Sequence, residues 1–553
     1  MLQLLDDPPE LLSSDCAEMA RSIFDNNARA IDESYAAADA SRRLSPPPID
    51  VLDDPDIEWL YGRDGSLTSR VGEQWLSGCS VPMLAGQEMA RTVSASGAVL
   101  CLLDPPHGHM LKATMDRLTA LQSVVVIKPC PKDFALFLAT RDFSDLIRAH
   151  RLYFVGGAFW GTMLTALLDA LPGLPLPSQF VRLSATSDRS VQHLIETARP
   201  IIAAAQSARA RLSHECCRSP RPLHKRVAVV TQSHFRLWED AGSVAAMTLG
   251  QSAQFSTHLL DQDHPHSGCP TALARLAATS DALVTANFGR GDLPGIVSND
   301  RAWITWITHP RIPAYDASCP RDALVLADQS WQRDALSVGW PASRVRVGAW
   351  PSSTLPLTPA RQPCLSLICD VVSLDIPDDK LPYSSHAVLW EHLARDLVDN
   401  PFALLAGPGP YLTARMADLQ IAENGFDRRL FFERLLWPGY AQGIARCVIR
   451  AGLPIRLYGR GWSDLNEFAQ HASEPVASRQ HLERIAHQHA AIVHCWPGTC
   501  AHPADALGTP TVRARSTAEL IGLGRKAIDG KLPIPASTTP TFSSELIASL
   551  LAD

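Results

Sequence analysis

From Arg226 to Val512 the chain alternates short runs of branched apolar residues with amphipathic stretches, and that alternation restricts the fold more than any other feature. Strand-type runs at Arg226–Thr231, Phe255–Leu260, Asp281–Ala286, Trp303–Thr308, Ala323–Ala327 and Arg344–Gly348 are spaced by helical segments at Ala241–Gln251, Thr271–Thr279 and Ser330–Val338. Short apolar runs between helices fit strands buried on both faces, so a parallel sheet with helices on each side is predicted. A proline-rich stretch, Pro351–Pro363, reads as a linker. The pattern then restarts with Cys364–Cys369, long helices between Ala387 and Ala451, and strands at Leu453–Tyr458 and Ala491–Cys495.

The densest signal lies between Leu453 and Val512. The strand ending at Tyr458 runs into Gly459-Arg460-Gly461-Trp462, where glycines let backbone come close to a ligand. An amphipathic segment, His481–Ala490, precedes the next strand. After it the loop Trp496–His502 leads into Pro503-Ala-Asp505-Ala-Leu-Gly508-Thr509-Pro510. Proline and aspartate suit a helix start there, and Gly508 suits its end. A helix that begins at the carboxyl edge of a parallel sheet offers free N–H groups to a phosphate.

Residues 225–530 resemble the C-terminal halves of group 1 glycosyltransferases, nearest the spore-maturation-protein-like branch. The resemblance is carried by the strand and Gly-x-Gly-Trp turn at Leu457–Trp462 and by the helix-Gly-small-Pro-Val ending at Asp505–Val512. It implies a GT-B fold of two Rossmann-like lobes, here preceded by a smaller N-terminal α/β domain and a helical arm. It also implies a nucleotide-sugar donor as co-substrate, with no separate cofactor. In retaining members a glutamate stands where this chain has Pro503, and family members often carry aspartate where His309 stands.

The nucleotide-sugar donor then falls to Gly459, Arg460, Gly461, His502, Gly508 and Thr509, with Asp505 toward the ribose or base and Arg513 and Arg515 as further cations for the diphosphate. Opposite the donor, polar residues at strand carboxyl ends are candidates for acceptor chemistry. His234 is the first choice for a general base because an imidazole titrates near neutral pH. His309 and Asp328 follow the fourth and fifth strands of the same lobe. The bland readings are a solvated turn for Arg460, a hydrogen-bonded histidine for His234 and helix-dipole complementation for Asp505.

Upstream, Ser123–Lys128 and Arg151–Val155 join Ala98–Leu103 as three strands at βαβ spacing. The loop after the first reads Asp104-Pro-Pro-His107-Gly-His109 in place of a glycine-rich phosphate loop, so a structural or acceptor-docking role is expected. Two helical patterns, Leu164–Leu171 and Val191–Leu212, follow around a proline-rich link. Residues 10–44 read as a helical arm closed by Pro46–Pro48. The domains so defined are 1–50, 51–215, 224–350 and 364–553.

At 553 residues and 46 % hydrophobic content the chain exceeds a single core. A net charge of −7 with no basic run argues against nucleic acid as a partner. Thirteen scattered cysteines without Cys-x-x-Cys spacing suit a reducing compartment, and no apolar run reaches membrane-spanning length, so a cytoplasmic protein is expected. His107 and His109 read as solvated, with metal ligation as the alternative. His258, His264, His266 and Cys269 match no familiar zinc spacing, and no metal site is assigned. The expected activity is transfer of a hexose-type sugar, without metal, to a glycan, protein or small-molecule acceptor. The rival readings are an inactive GT-B scaffold that binds a glycan or protein, and a nucleotide-sugar epimerase.

Overall fold

The computed structural model describes all residues outside 1–12, 36–48, 94–96, 120, 183–187, 220–225, 233–240, 253, 309–310, 352–360, 377–380, 382, 423–425, 496–506, 508, 534–539 and 553. It shows a mixed α/β chain in two units. The first comprises Met1–Pro220 together with Leu260–Ala278 and Gly295–Ser298; the second comprises Arg221–Leu259, Thr279–Pro294 and Asn299–Asp553. No described helix is long and apolar enough to cross a membrane.

In the first unit, β1 (Ile57–Tyr61), β2 (Leu67–Val71) and β3 (Gln74–Trp75) form an antiparallel meander. A parallel sheet places β4 (Val99–Leu103), β5 (Ser123–Lys128), β6 (Leu152–Gly156) and β7 (Gln179–Arg182) in the order β6-β5-β4-β7. Every residue of β4, β5 and β6 is buried, as continuous Val/Leu/Ile runs covered on both faces must be. The helix Ser13–Tyr35 packs on this unit through Asn27. Its buried amide donates to the carbonyls of Leu138 (2.7 Å) and Arg141 (2.8 Å) and accepts the Phe143 amide at 2.7 Å. Satisfying donor and acceptor together is what makes a buried asparagine tolerable.

The second unit holds two sheets. Six strands, β8 (Arg226–Thr231), β9 (Ser256–Asp261), β10 (Ala282–Ala286), β11 (Ala302–Ile307), β12 (Ala323–Leu326) and β13 (Val345–Val347), are ordered β13-β12-β11-β10-β8-β9. Four more, β14 (Gln362–Ile368), β15 (Ile455–Tyr458), β16 (His489–Val493) and β17 (Thr511–Val512), are ordered β15-β14-β16-β17 and all run parallel. One apolar core runs through both, from Val229, Ile304 and Trp306 to Leu365, Leu367 and Val493. The helix Arg479–Gln488 covers the other face of the four-stranded sheet through Leu482 and Ile485, which meet Ile368 and Ile492.

The chain finally returns to the six-stranded sheet. Ala349 N–H donates to Pro540 O and Phe542 N–H to Ala349 O, each at 2.8 Å, and the Phe542 ring stacks on Trp306 with centroids 4.2 Å apart. Trp306 in turn donates its indole N–H to Gly348 O at 2.9 Å.

A buried ion pair braces this sheet. Arg290 meets Asp322 with two bonds of 2.8 Å and also donates to Arg301 O, while Asp322 accepts the Trp303 amide at 3.1 Å. Arg290→Ala would leave that carboxylate buried without its cation, so a loss of about 3–5 kcal/mol in unfolding free energy is expected by urea denaturation. Lys531→Ala removes the exposed pair with Asp529 and is expected to change stability by less than about 1 kcal/mol.

Candidate functional site

Parallel α/β sheets receive ligands where successive crossovers leave a strand on opposite sides, at the carboxyl ends. The four-stranded order places that point between β14 and β16, and the six-stranded order places it between β8 and β10. Cys369 and Asp370 follow β14. His494 and Cys495 follow β16. The Cys495 thiol donates to Ile368 O at 3.4 Å and the Trp462 indole to Cys369 O at 2.8 Å. Burial, then contact with Cys495, pushes the Cys369 thiol well up, so Cys369 stays a neutral thiol near neutral pH.

Beside it lies the Gly459–Trp462 turn at the end of β15. Gly459 has φ +137° and Gly461 φ +85°. A Cβ on Gly459 would lie 2.0 Å from the Cys369 carbonyl oxygen, and one on Gly461 would lie 2.0 Å from that of Val371. Glycine is therefore demanded here by the neighbouring β14 exit alone. The same contact is hydrogen-bonded throughout: Cys369 N–H donates to Tyr458 O and Val371 N–H to Arg460 O, both at 2.9 Å, while Arg460 N–H donates to Asp370 Oδ1 at 2.7 Å. Trp462 is fully buried and packs edge-on to Phe468. The Arg460 side chain is exposed and makes no ion pair with any described residue. That leaves an exposed guanidinium at the rim of the sheet, a group whose chemistry suits a phosphate.

Thr509 is buried, and its hydroxyl donates to Ala486 O at 2.9 Å, which ties the approach to β17 onto the helix Arg479–Gln488. This is a packing role. His502, Asp505 and Gly508 lie outside the described residues, as do His234 and His309. Asp328 is described: it caps the short turn Gln329–Trp331 by accepting the Ser330 amide at 2.8 Å. It stands after β12, away from the β8/β10 point.

At the β8/β10 point itself stand two of the polar residues that strand-end position marks in the sequence, Asn287 and Gln232. Asn287, with φ +62°, accepts the Thr308 amide and donates to the Thr308 hydroxyl, each at 2.8 Å, and so locks the exits of β10 and β11 together. Gln232 Oε1 is buried without a hydrogen-bond partner among the described residues. Turn chemistry gave a signal for the asparagine, which tolerates a left-handed backbone better than most residues.

The first unit presents a different picture. Where a dinucleotide fold opens a phosphate loop, Lys128 pairs with Asp104 at 2.6 Å, with side chains 6 % and 20 % exposed. The strand ends are thereby closed on themselves. His107 and His109, expected in solvent, are buried: His107 caps the helix Gly108–Arg117 by accepting Met110 N–H at 3.3 Å, and His109 Nε2 bonds Leu67 O at 2.8 Å. Burial, followed by repulsion from His109, pushes His107 down to about 4. The β1–β2 hairpin supplies the cover that sequence reading did not foresee.

Of the histidine-cysteine group near residue 264, His264 and His266 come together, but their third neighbour is His150, not His258 or Cys269. Burial first, then His150 and His264, pushes His266 down to about 3.

No protein-family model matches the chain, and no curated protein matches it. Among solved structures, the MAf glycosyltransferase from Magnetospirillum magneticum AMB-1 overlaps it at 14 % identity with a TM-score of 0.24. That overlap covers 52 % of this chain and 54 % of the other, so the chain spans about half the length of that glycosyltransferase. The class that the layers and strand orders define is a multi-sheet α/β protein with Rossmann-like parallel sheets.

Because the turn glycines face carbonyl oxygens, Gly459→Ala and Gly461→Ala are each expected to lower unfolding free energy by more than about 2 kcal/mol. Gly522→Ala, on the helix Thr517–Ile528 with nothing near its Cβ, is expected to raise it by up to about 1 kcal/mol. Chemical denaturation followed by circular dichroism reads both.

Proposed function

We propose that the second unit is a glycosyltransferase of GT-B type. Residues 364–553 hold a nucleotide-sugar and residues 224–350 hold the acceptor. The supporting observation is the pair of parallel sheets within one unit, each with its own switch point at strand carboxyl ends. Two such points are what a donor and an acceptor require if both are to meet in one cleft.

In this reading the departing diphosphate is met by backbone amides at the helix start proposed near Pro503 with His502 beside them, and Asp505 is assigned to the ribose or base. The exposed Arg460 guanidinium, anchored through its own backbone to Asp370, adds a charge-assisted contact. His234 follows β8 and is assigned as the base that takes the acceptor proton; His309 and Asp328 are the reserves. Helix amides and arginine can stabilise the leaving group without a metal.

A second reading has a specific basis. The turn glycines are already explained by Cys369 and Val371, and Pro503 replaces the acid of retaining relatives. A non-catalytic scaffold that binds a glycan or protein accommodates both facts. An epimerase, by contrast, would convert free nucleotide-sugar with no acceptor.

Thermal shift with a panel of nucleoside diphosphates separates these. At about 100 times Kd a bound nucleotide adds about 2.7 kcal/mol of stability, which raises the melting temperature measurably. Arg460→Ala is expected to weaken that nucleotide shift at least about tenfold in concentration while leaving the ligand-free melting temperature unchanged, since its side chain is exposed. No shift with any nucleotide would leave the scaffold reading standing.

A further inference from the structure

His150, His264 and His266 come from two segments far apart in sequence and meet within the first unit. His150 sits in the turn before β6 with φ +55°, its amide bound to Ile147 O at 2.9 Å. His264 and His266 flank Pro265 at the start of the short turn Pro265–Ser267. One ligand-type nitrogen from each histidine lies within 4.8 Å of the other two. The rings are tilted, with centroids 4.3 Å apart for His150 and His266, 5.3 Å for His150 and His264 and 4.8 Å for His264 and His266. His266 Nε2 is buried and has no hydrogen-bond partner among the described residues.

We propose that these three imidazoles are the ligands of one divalent transition-metal ion, best suited to Zn2+, which fastens the excursion 260–278 to the edge of the parallel sheet. Three neutral nitrogen donors without a carboxylate favour Zn2+, Co2+ or Ni2+ over Mg2+ or Ca2+. Zinc–nitrogen bonds of about 2.0–2.1 Å put tetrahedral donors roughly 3.3 Å apart, so the rings close inward by about an ångström or slightly more, a displacement that side-chain rotation can supply. Water takes the fourth position.

The backbone is set for this before any ion arrives. Gly173 admits the His266 carbonyl, which would lie 1.8 Å from a Cβ there, and Cys269 N–H donates to Gly173 O at 2.9 Å. Gly268 closes against Pro175 in the same way. The internal competitor is one long bond, His266 N–H to His264 Nδ1 at 3.2 Å. A metal on Nδ1 replaces it; a metal on Nε2 moves the ring proton to Nδ1 and releases the amide. Cys269, whose thiol donates to the Thr271 hydroxyl at 3.5 Å, lies outside the ligand set.

The full chain, stripped with a chelator, is titrated with Co2+ and followed by absorption, then challenged with Zn2+. One equivalent with d–d bands of nitrogen ligation, no thiolate charge-transfer band and displacement by Zn2+ is expected. The double variant His150→Gln with His266→Gln is expected to lose more than about 100-fold in affinity while its far-ultraviolet circular dichroism is unchanged, and Cys269→Ser is expected to bind as wild type. If the double variant misfolds, His264→Gln alone carries the comparison. No bands in the wild-type chain, a thiolate band, or binding that survives the histidine replacements overturns the site.

Discussion

Burial of parallel strands on both faces is the constraint on which the second unit depends. Its two sheets share one apolar core, so Trp306, Leu365 and Val493 are parts of a single packing problem. The inner strands β10, β11 and β12 are buried almost throughout, while β9 and β15 at the sheet edges keep exposed positions. A ligand would thereby be received at the carboxyl exits of β8, β10, β14 and β16. Polar groups that occur deeper, such as Arg290 with Asp322, are paired and bonded because an unpaired charge there would not be tolerated.

The same physics decides what could be read beforehand. Apolar runs at Ser123–Lys128, Trp303–Thr308 and Ala491–Cys495 coincide with β5, β11 and β16 to within two residues at either end, because wholly buried strands write an unbroken hydrophobic signal. The meander β1–β3 and the strand β7 escaped. Each is short and only partly buried, and β7 sits at a sheet edge where only Val181 is buried. Short edge strands give pattern reading little to work with.

Site residues divide along a similar line. The Gly-Arg-Gly-Trp turn was legible as a place of close backbone approach, and it is one; what approaches is the exit of β14, a long-range neighbour that no local pattern names. His264 and His266 were legible as ligand-type residues, yet His150 could not be joined to them without knowing that residues 260–278 pack with the first unit. Sites assembled across distant segments depend on tertiary contacts that sequence does not display.

That packing of 260–278 bears on biogenesis. The first unit is not one continuous stretch of polypeptide, since Gly173 and Pro175 receive a segment made after β8 and most of β9. During vectorial synthesis the surface around Gly173 stays uncovered until the ribosome has passed residue 278. Completion of the first unit thus waits on translation of a segment that lies beyond β8.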